Sequence, residues 1–119
     1  MTEAKNYSGG CHCGKVRYEA KTDLSGAVAC NCSICQKAGW MLAFVPASDF
    51  TLLSGEDALT DYQFNKKAIH HVFCKTCGIH SFSRGSAPDG REMVAVNVRC
   101  LDGVDPQTLK PNHFDGKSL

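Results

Sequence analysis

Short runs in which apolar and polar residues alternate recur about every ten residues along this chain, a pattern typical of half-buried β-strands. The alternation is clear at 15–20 and 59–64, and the run at 92–98, with three valines and a methionine, gives the strongest strand signal. The continuous apolar run at 40–45 ends at Pro46 and is too short for an ordinary helix, which favours a buried strand. The pattern therefore predicts a mainly β protein.

The remaining segments are shorter and are separated by turn residues. We predict strands at 27–29, 50–53, 68–73 and 79–83, turns at 65–67 and 88–90, a loop or one helical turn at 30–35, another helical turn at 107–110, and loose chain up to Tyr7. Strands this closely spaced favour two small antiparallel sheets with little helix. The 119 residues suit a single domain, 1–119, with a loosely ordered tail from about residue 106.

Composition narrows the possible partners and the chemistry of the cysteines. The net charge of +1 gives no basic excess for a phosphate backbone, so no nucleic-acid partner is expected. No apolar run reaches membrane-spanning length and residues 1–6 carry no hydrophobic signal region, so we expect no membrane partner and a cytoplasmic location. Thiols stay reduced in that compartment, so the eight cysteines indicate metal binding rather than disulfides.

Seven of the eight cysteines fall into three clusters, which are Cys11 with Cys13, Cys30 with Cys32 and Cys35, and Cys74 with Cys77. A glycine directly follows the first and the last cluster, and glycine lets the backbone curl and direct its N–H groups at a thiolate. Spacing alone allows three pairings of these clusters into a four-cysteine zinc site, and pairing the second with the third is the commonest arrangement. The trailing glycines favour the first and third clusters as a structural zinc site, with the strand leaving Cys13 beside the strand entering Cys74.

Cys30, Cys32 and Cys35 are then left as three thiols without a fourth. Three protein ligands and an open position are typical of a catalytic zinc, and an all-thiolate site suits the binding of another soft sulfur ligand. Two alternatives stay open. One is a metal-free redox cluster, and the other is a second structural zinc whose fourth ligand is His12, His80, Cys100 or water.

Four more residues could contribute to a site. Cys100 stands alone and is either a reactive thiol or a small buried apolar residue. Lys37 or Arg84 could pair with a carboxylate of a substrate, although Lys37 also suits a solvated surface position. Trp40 either lines a pocket beside the three thiols or packs in the core.

The three cysteine motifs, in this order and at these spacings, resemble the glutathione-dependent formaldehyde-activating enzyme family from residue 9 to about residue 105. The resemblance implies a β-tent fold whose two sheets meet at a structural zinc, with two zinc ions per chain and full or partial occupancy of the second site. It implies that Cys11, Cys13, Cys74 and Cys77 hold the structural zinc and that Cys30, Cys32 and Cys35 hold the second, catalytic one.

The resemblance also implies a reaction, the joining of formaldehyde to the glutathione sulfur to give S-(hydroxymethyl)glutathione. The sequence hypothesis is therefore a zinc-dependent carbon–sulfur lyase acting on an adduct of a small thiol, such as glutathione, with formaldehyde or another aldehyde. Two other functions stay open, a non-catalytic zinc-binding scaffold and a methionine-sulfoxide-reductase-like thiol enzyme using Cys100. Iron in place of zinc also stays open, because four thiolates accept either metal.

Overall fold

The computed structural model describes residues 4–63, 69–87 and 89–115, and ten strands in two sheets form its framework. The first sheet is antiparallel, in the order β1 (Lys5–Gly10), β2 (Arg17–Thr22) and β5 (Phe50–Ser54). The second sheet runs in the order β10 (Asn112–Phe114), β3 (Val28–Cys30), β4 (Leu42–Pro46), β9 (Glu92–Asn97), β8 (Phe82–Ser86), β7 (His70–Cys74) and β6 (Leu59–Tyr62). The mainly β, two-sheet prediction is therefore confirmed.

Helical structure is short in the described part of the chain. One α-helix, α1 (Ser33–Ala38), follows β3 and ends at Gly39 in the left-handed conformation. Four single turns of 3-10 helix lie at Ala47–Asp49, Glu56–Ala58, Val98–Cys100 and Pro106–Thr108. No helix among the described residues is long and apolar enough to cross a membrane.

The core lies between the two sheets and is centred on three aromatic rings. Tyr18 and Phe50 come from the first sheet and Phe82 from the second, with ring centroids 4.8 to 5.7 Å apart. The Tyr18 hydroxyl is buried and donates a hydrogen bond to the carbonyl oxygen of Ser81 at 3.1 Å. The ring cluster therefore packs the sheets together while the one polar atom among the three rings stays paired.

Strand alternation gives the seven-stranded sheet two different faces. The cross-strand row of buried residues that faces the core is Ala43, Val96, Phe82 and Val72. The neighbouring row, one residue further along each strand or one before it, is Phe44, Ala95, Ser83 and His71. This second row lies on the outer face, next to the smaller apolar cluster of Cys35, Trp40, Leu42 and Ala95.

The structure corrects several local expectations. The segment predicted to be loose up to Tyr7 forms β1, which pairs with β2 over six residue pairs. Strand β8 begins three residues after the predicted start at 79, and β3 has a parallel neighbour, β10, in the segment from about 106 for which a loose tail was expected. The strands β2 and β7 lie in different sheets, so the expectation that they run side by side is wrong. The turn predicted at 65–67 and the first residue of the turn at 88–90 lie outside the described residues.

Candidate metal centres

The structure brings Cys11, Cys13, Cys74 and Cys77 together, with all four sulfur atoms within 4.8 Å of one another. The sulfur of Cys13 lies 3.5 Å from that of Cys11 and 3.6 Å from that of Cys74. A tetrahedral zinc with Zn–S bonds of about 2.3 Å requires sulfur atoms about 3.8 Å apart. The four side chains therefore fit a closed zinc site without rearrangement of the backbone.

Two glycines shape the backbone around this four-cysteine cluster. Gly14 and Gly78 have φ angles of 85° and 80°, a left-handed conformation that favours glycine. Each turn directs the N–H of the residue after the glycine at the preceding thiol, Lys15 at Cys13 and Ile79 at Cys77. The trailing glycines thus have the role that the sequence predicted for them.

Backbone N–H groups stabilise the thiolate form of these cysteines, whereas repulsion between neighbouring thiolates destabilises it. Burial raises the pKa of the Cys77 thiol, but the N–H groups of Cys13 and Ile79 outweigh it and lower that pKa to about 6. At Cys13 the N–H of Lys15 acts to lower the pKa, yet partial desolvation of the sulfur and the three neighbouring thiols raise it to about 11. Adjacent thiolates repel, so a cation is what allows all four to be deprotonated together.

The four-cysteine cluster is also the place where the two sheets meet at their ends. Cys11 and Cys13 lie in the connection between β1 and β2 of the first sheet. Cys74 is the last residue of β7 in the second sheet and is fully buried. Apart from contacts that involve sulfur, one side-chain hydrogen bond joins the described residues of the two cysteine loops. In it, Lys15 Nζ donates to Thr76 Oγ1 at 3.1 Å, and the bond is exposed. A metal ion would therefore be the main connection at this junction.

Cys30, Cys32 and Cys35, called the triad below, form a second cluster with all three sulfur atoms within 4.8 Å. Cys30 ends β3, Cys32 precedes the first residue of α1, and Cys35 lies in the first turn of that helix. At Cys32, burial acts to raise the pKa, but backbone N–H groups of Cys35 and Ile34 lower it overall. Burial raises the pKa of Cys35 to about 12. The first turn of α1 thus directs its N–H groups at the thiol of Cys32, while the thiol of Cys35 is buried.

The triad lies at one side of a cavity of about 590 Å³, within the size range of small-molecule sites. The cavity is formed on the outer face of the seven-stranded sheet, and Phe114 of the edge strand β10 is among the residues that line it. The residues that line it are Val28, Cys30, Cys32, Ile34, Cys35, Trp40, Leu42, Phe44, Ile69, His71, Ser83, Gly85, Ser86, Ala87, Met93, Ala95 and Phe114. Three thiols therefore face a space large enough for a small substrate.

None of the residues considered as a fourth ligand joins the triad. Within the described ranges, no His, Cys, Asp or Glu joins the triad within 4.8 Å of all three sulfur atoms. His12 is exposed on the loop of the four-cysteine cluster. The Cys100 thiol faces the carbonyl oxygen of His80 at 3.8 Å, and burial raises its pKa to about 11, which disfavours a reactive thiolate. The described chain therefore supplies three thiols and no fourth ligand to this cluster.

Other candidates divide between the cavity and the rest of the molecule. Trp40 is both buried and a cavity-lining residue, and its ring stacks on His71 at 5.8 Å. Lys37 is exposed and does not line the cavity. Arg84 lies on the core-facing side of β8, with its guanidinium 5.2 Å from the centroid of the Phe82 ring.

His71 lines the cavity, although nothing in the sequence pattern assigned it to the site. Its neighbour His70 is exposed, so the two rings point to opposite faces, as strand alternation requires. Burial first, and then the nearby His80, lower the pKa of His71. Strand alternation predicts that His70 and His71 lie on opposite faces of β7, but it does not predict on which face the cavity lies.

Comparisons with known proteins agree with this arrangement of cysteines. A sequence model of the family described as glutathione-dependent formaldehyde-activating enzyme matches residues 6–115. The crystal structure of a Rhodobacter sphaeroides protein, a Northeast Structural Genomics target, superposes with a TM-score of 0.80 at 35% sequence identity. That match covers 89% of this chain and 97% of the other.

Proposed function

Because this chain belongs to the glutathione-dependent formaldehyde-activating enzyme family, we propose that it is a carbon–sulfur lyase that uses two zinc ions per chain. The observation that carries the proposal is the triad, three clustered thiols that face a cavity without a fourth protein ligand in the described chain. A structural site would be closed by a fourth ligand. An open position beside a cavity suits a substrate.

The two clusters would have different roles. Cys11, Cys13, Cys74 and Cys77 would hold a structural zinc that ties the ends of the two sheets, since four sulfur ligands complete its coordination. Cys30, Cys32 and Cys35 would hold the second zinc. When bound there, zinc supplies a soft Lewis acid that favours the thiolate form of an incoming thiol at neutral pH.

The reaction joins a small thiol to an aldehyde such as formaldehyde. The thiol loses its proton, its sulfur bonds to the carbonyl carbon, and the carbonyl oxygen takes up one proton as the C=O π bond breaks. The product is a hydroxymethyl thioether, and the reverse direction releases thiol and aldehyde. Atoms and charge balance without an oxidant, a reductant or a further cofactor.

The chain itself would hold the reactants together and keep bulk water away. Leu42, Phe44 and Met93 form part of the apolar wall of the cavity, and Leu42 packs in one cluster with Cys35. Bringing thiol and aldehyde into one small space lowers the entropic barrier to bond formation. An apolar wall also strengthens the electrostatic interaction between a bound thiolate and the groups around it.

The experiment compares wild type with Cys32→Ser, and uses Cys100→Ser as the matched control because Cys100 belongs to neither cluster. Zinc content per chain and the rate of adduct formation, followed by NMR with ¹³C-labelled formaldehyde and a thiol, are measured on the same samples. We expect two zinc ions and catalysed exchange for wild type and Cys100→Ser. We expect one zinc ion and no catalysis above the buffer rate for Cys32→Ser.

Other outcomes favour the alternative functions. Two zinc ions without any acceleration by wild type would indicate a non-catalytic zinc-binding scaffold. Loss of activity in Cys100→Ser but not in Cys32→Ser would indicate thiol chemistry at Cys100 and would contradict the proposal. Iron instead of zinc in the isolated protein would change the metal assignment at both clusters.

A further inference from the structure

We propose that the thiol substrate of this protein is a neutral, apolar thiol and not glutathione. This inference rests on the proposed function, because it concerns what enters the cavity beside the triad. It is carried by the chemistry of the cavity wall, by the places of the nearby cations, and by the neutrality of the one imidazole in the wall.

The wall of the cavity is mostly apolar, and the polar side chains that the described residues contribute to it carry no charge at pH 7 apart from the thiols of the triad. Neighbouring strands contribute Phe44, Ala95, Ser83 and His71 in one cross-strand row. The row ends at the rim with Phe44, which is 54% exposed although its ring is apolar. In the described chain no Lys, Arg, Asp or Glu lines this cavity. An apolar ligand would bury its surface here without leaving a charge unpaired.

The two cations that the sequence offered as partners of a carboxylate are not in the wall. Ser83 and Gly85 of β8 face the cavity, so the intervening Arg84 points to the other side of the sheet, where its guanidinium lies over the rings of Phe50 and Phe82. Lys37 lies near the end of α1, on its exposed side. Neither side chain is placed to meet an anion in the cavity.

His71 does not replace them. Burial and the neighbouring His80 lower the pKa of His71, so its imidazole is neutral at pH 7 and supplies no positive charge. Glutathione carries two carboxylates and one ammonium group. Placing these groups against an apolar wall would remove them from water without pairing them, which is costly. A short alkyl thiol meets no such cost.

The test measures binding to the zinc-loaded protein through the fluorescence of Trp40, which is the only tryptophan and lines the cavity. The probes are ethanethiol, butanethiol, hexanethiol and glutathione, with the alcohols of the same chain lengths as sulfur-free controls. Each buried methylene should tighten thiol binding by about fourfold until the chain fills the cavity. We expect glutathione to bind no more tightly than ethanethiol.

A pair of matched variants tests the wall directly. Phe44→Arg places a cation at the rim of the cavity, while Leu53→Arg places one on β5 of the other sheet at a residue of nearly equal exposure, 55% against 54%. Phe44→Arg should weaken hexanethiol and strengthen glutathione by about tenfold or more in the ratio of their dissociation constants. Leu53→Arg should leave that ratio as in wild type.

The outcomes separate this inference from the proposed function. If glutathione binds wild type as tightly as hexanethiol, or if Phe44→Arg leaves the ratio unchanged, the inference is overturned. If thiols and alcohols of equal length bind equally, with the same gain per methylene, the cavity is apolar as inferred but the proposed thiol chemistry fails. Tighter binding of each thiol than of its alcohol supports both.

Discussion

Loss of metal from the four-cysteine cluster should destabilise this protein far more than loss of metal from the triad. The reason is topological. The sulfur atoms of Cys13 and Cys74 are 3.6 Å apart but belong to residues 61 positions apart in the chain, on opposite sheets. The triad connects only neighbouring residues between β3 and α1.

The size of the difference follows from the two loops that the metals close. In the loop-closure model, a link across 61 residues contributes about 4 kcal/mol, and one across the short triad loop about 2 kcal/mol. For a chain of 119 residues the total free energy of unfolding is about 6–18 kcal/mol, so the first link is a large share of it. The corresponding fall in melting temperature is about 15 °C for the first cluster.

The assay is urea unfolding, with and without EDTA, of wild type, Cys13→Ser and Cys32→Ser. Cys13 is exposed, so its replacement by serine buries no new hydroxyl and its cost reports the metal link. EDTA should lower the free energy of unfolding by about 4 kcal/mol or more in wild type and Cys32→Ser, and by much less in Cys13→Ser. If EDTA changes the stability of Cys13→Ser as much as that of wild type, the metal does not join the sheets here.

Three further outcomes can be measured by the same unfolding assay. Gly78→Ala should cost about 1–2 kcal/mol, because its φ of 80° is unfavourable for alanine while a Cβ there meets no atom within 4 Å. Gly55→Ala should cost more, since its Cβ would lie 2.3 Å from the Lys15 carbonyl oxygen; equal costs at the two glycines would contradict this packing. Because the pKa of His71 is lower in the folded protein than in the unfolded chain, the unfolded chain takes up a proton on His71 at a higher pH than the folded protein does. The free energy of unfolding therefore falls as the pH falls below about 6.5. His71→Gln should flatten that pH dependence, and the exposed His113→Gln should not; equal slopes in wild type and His71→Gln would refute the assignment.

The sequence predicted the grouping of the cysteines better than the sheets that carry them. The cysteine spacing and the trailing glycines encode local geometry, because Gly14 and Gly78 each direct the next N–H at a thiol. Pairing the first and third clusters, rather than the commoner second and third, agrees with the positions of the sulfur atoms. The geometry of these local turns can therefore be predicted directly from the sequence.

Elements held mainly by backbone pairing were missed. Strand β1 has few apolar side chains, and Gly9 lies where a Cβ would be 2.8 Å from the Cys100 carbonyl oxygen. Strand β1 is stabilised by pairing with β2, and the residues of β1 alone do not indicate that this pairing occurs. Strand β10 has only three residues, all of them exposed, yet it brings Phe114 to the cavity.

The composition of the cavity also could not be predicted from the sequence. Ser83 and Arg84 are adjacent, and only the register of β8 against β9 decides which of them faces the triad. A shift of one residue would have placed Arg84 in the cavity and made a charged substrate reasonable. The choice between glutathione and an apolar thiol therefore depends on tertiary structure.

The central claim is that the triad holds a metal with one position open to a thiol, and ¹¹³Cd NMR of the cadmium-substituted protein tests it most directly. Cadmium, like zinc, binds thiolates, and its chemical shift reports the number of sulfur ligands. We predict two resonances, of which one, absent in Cys32→Ser, shifts when butanethiol is added. A single resonance, or two that butanethiol leaves in place, would contradict the account.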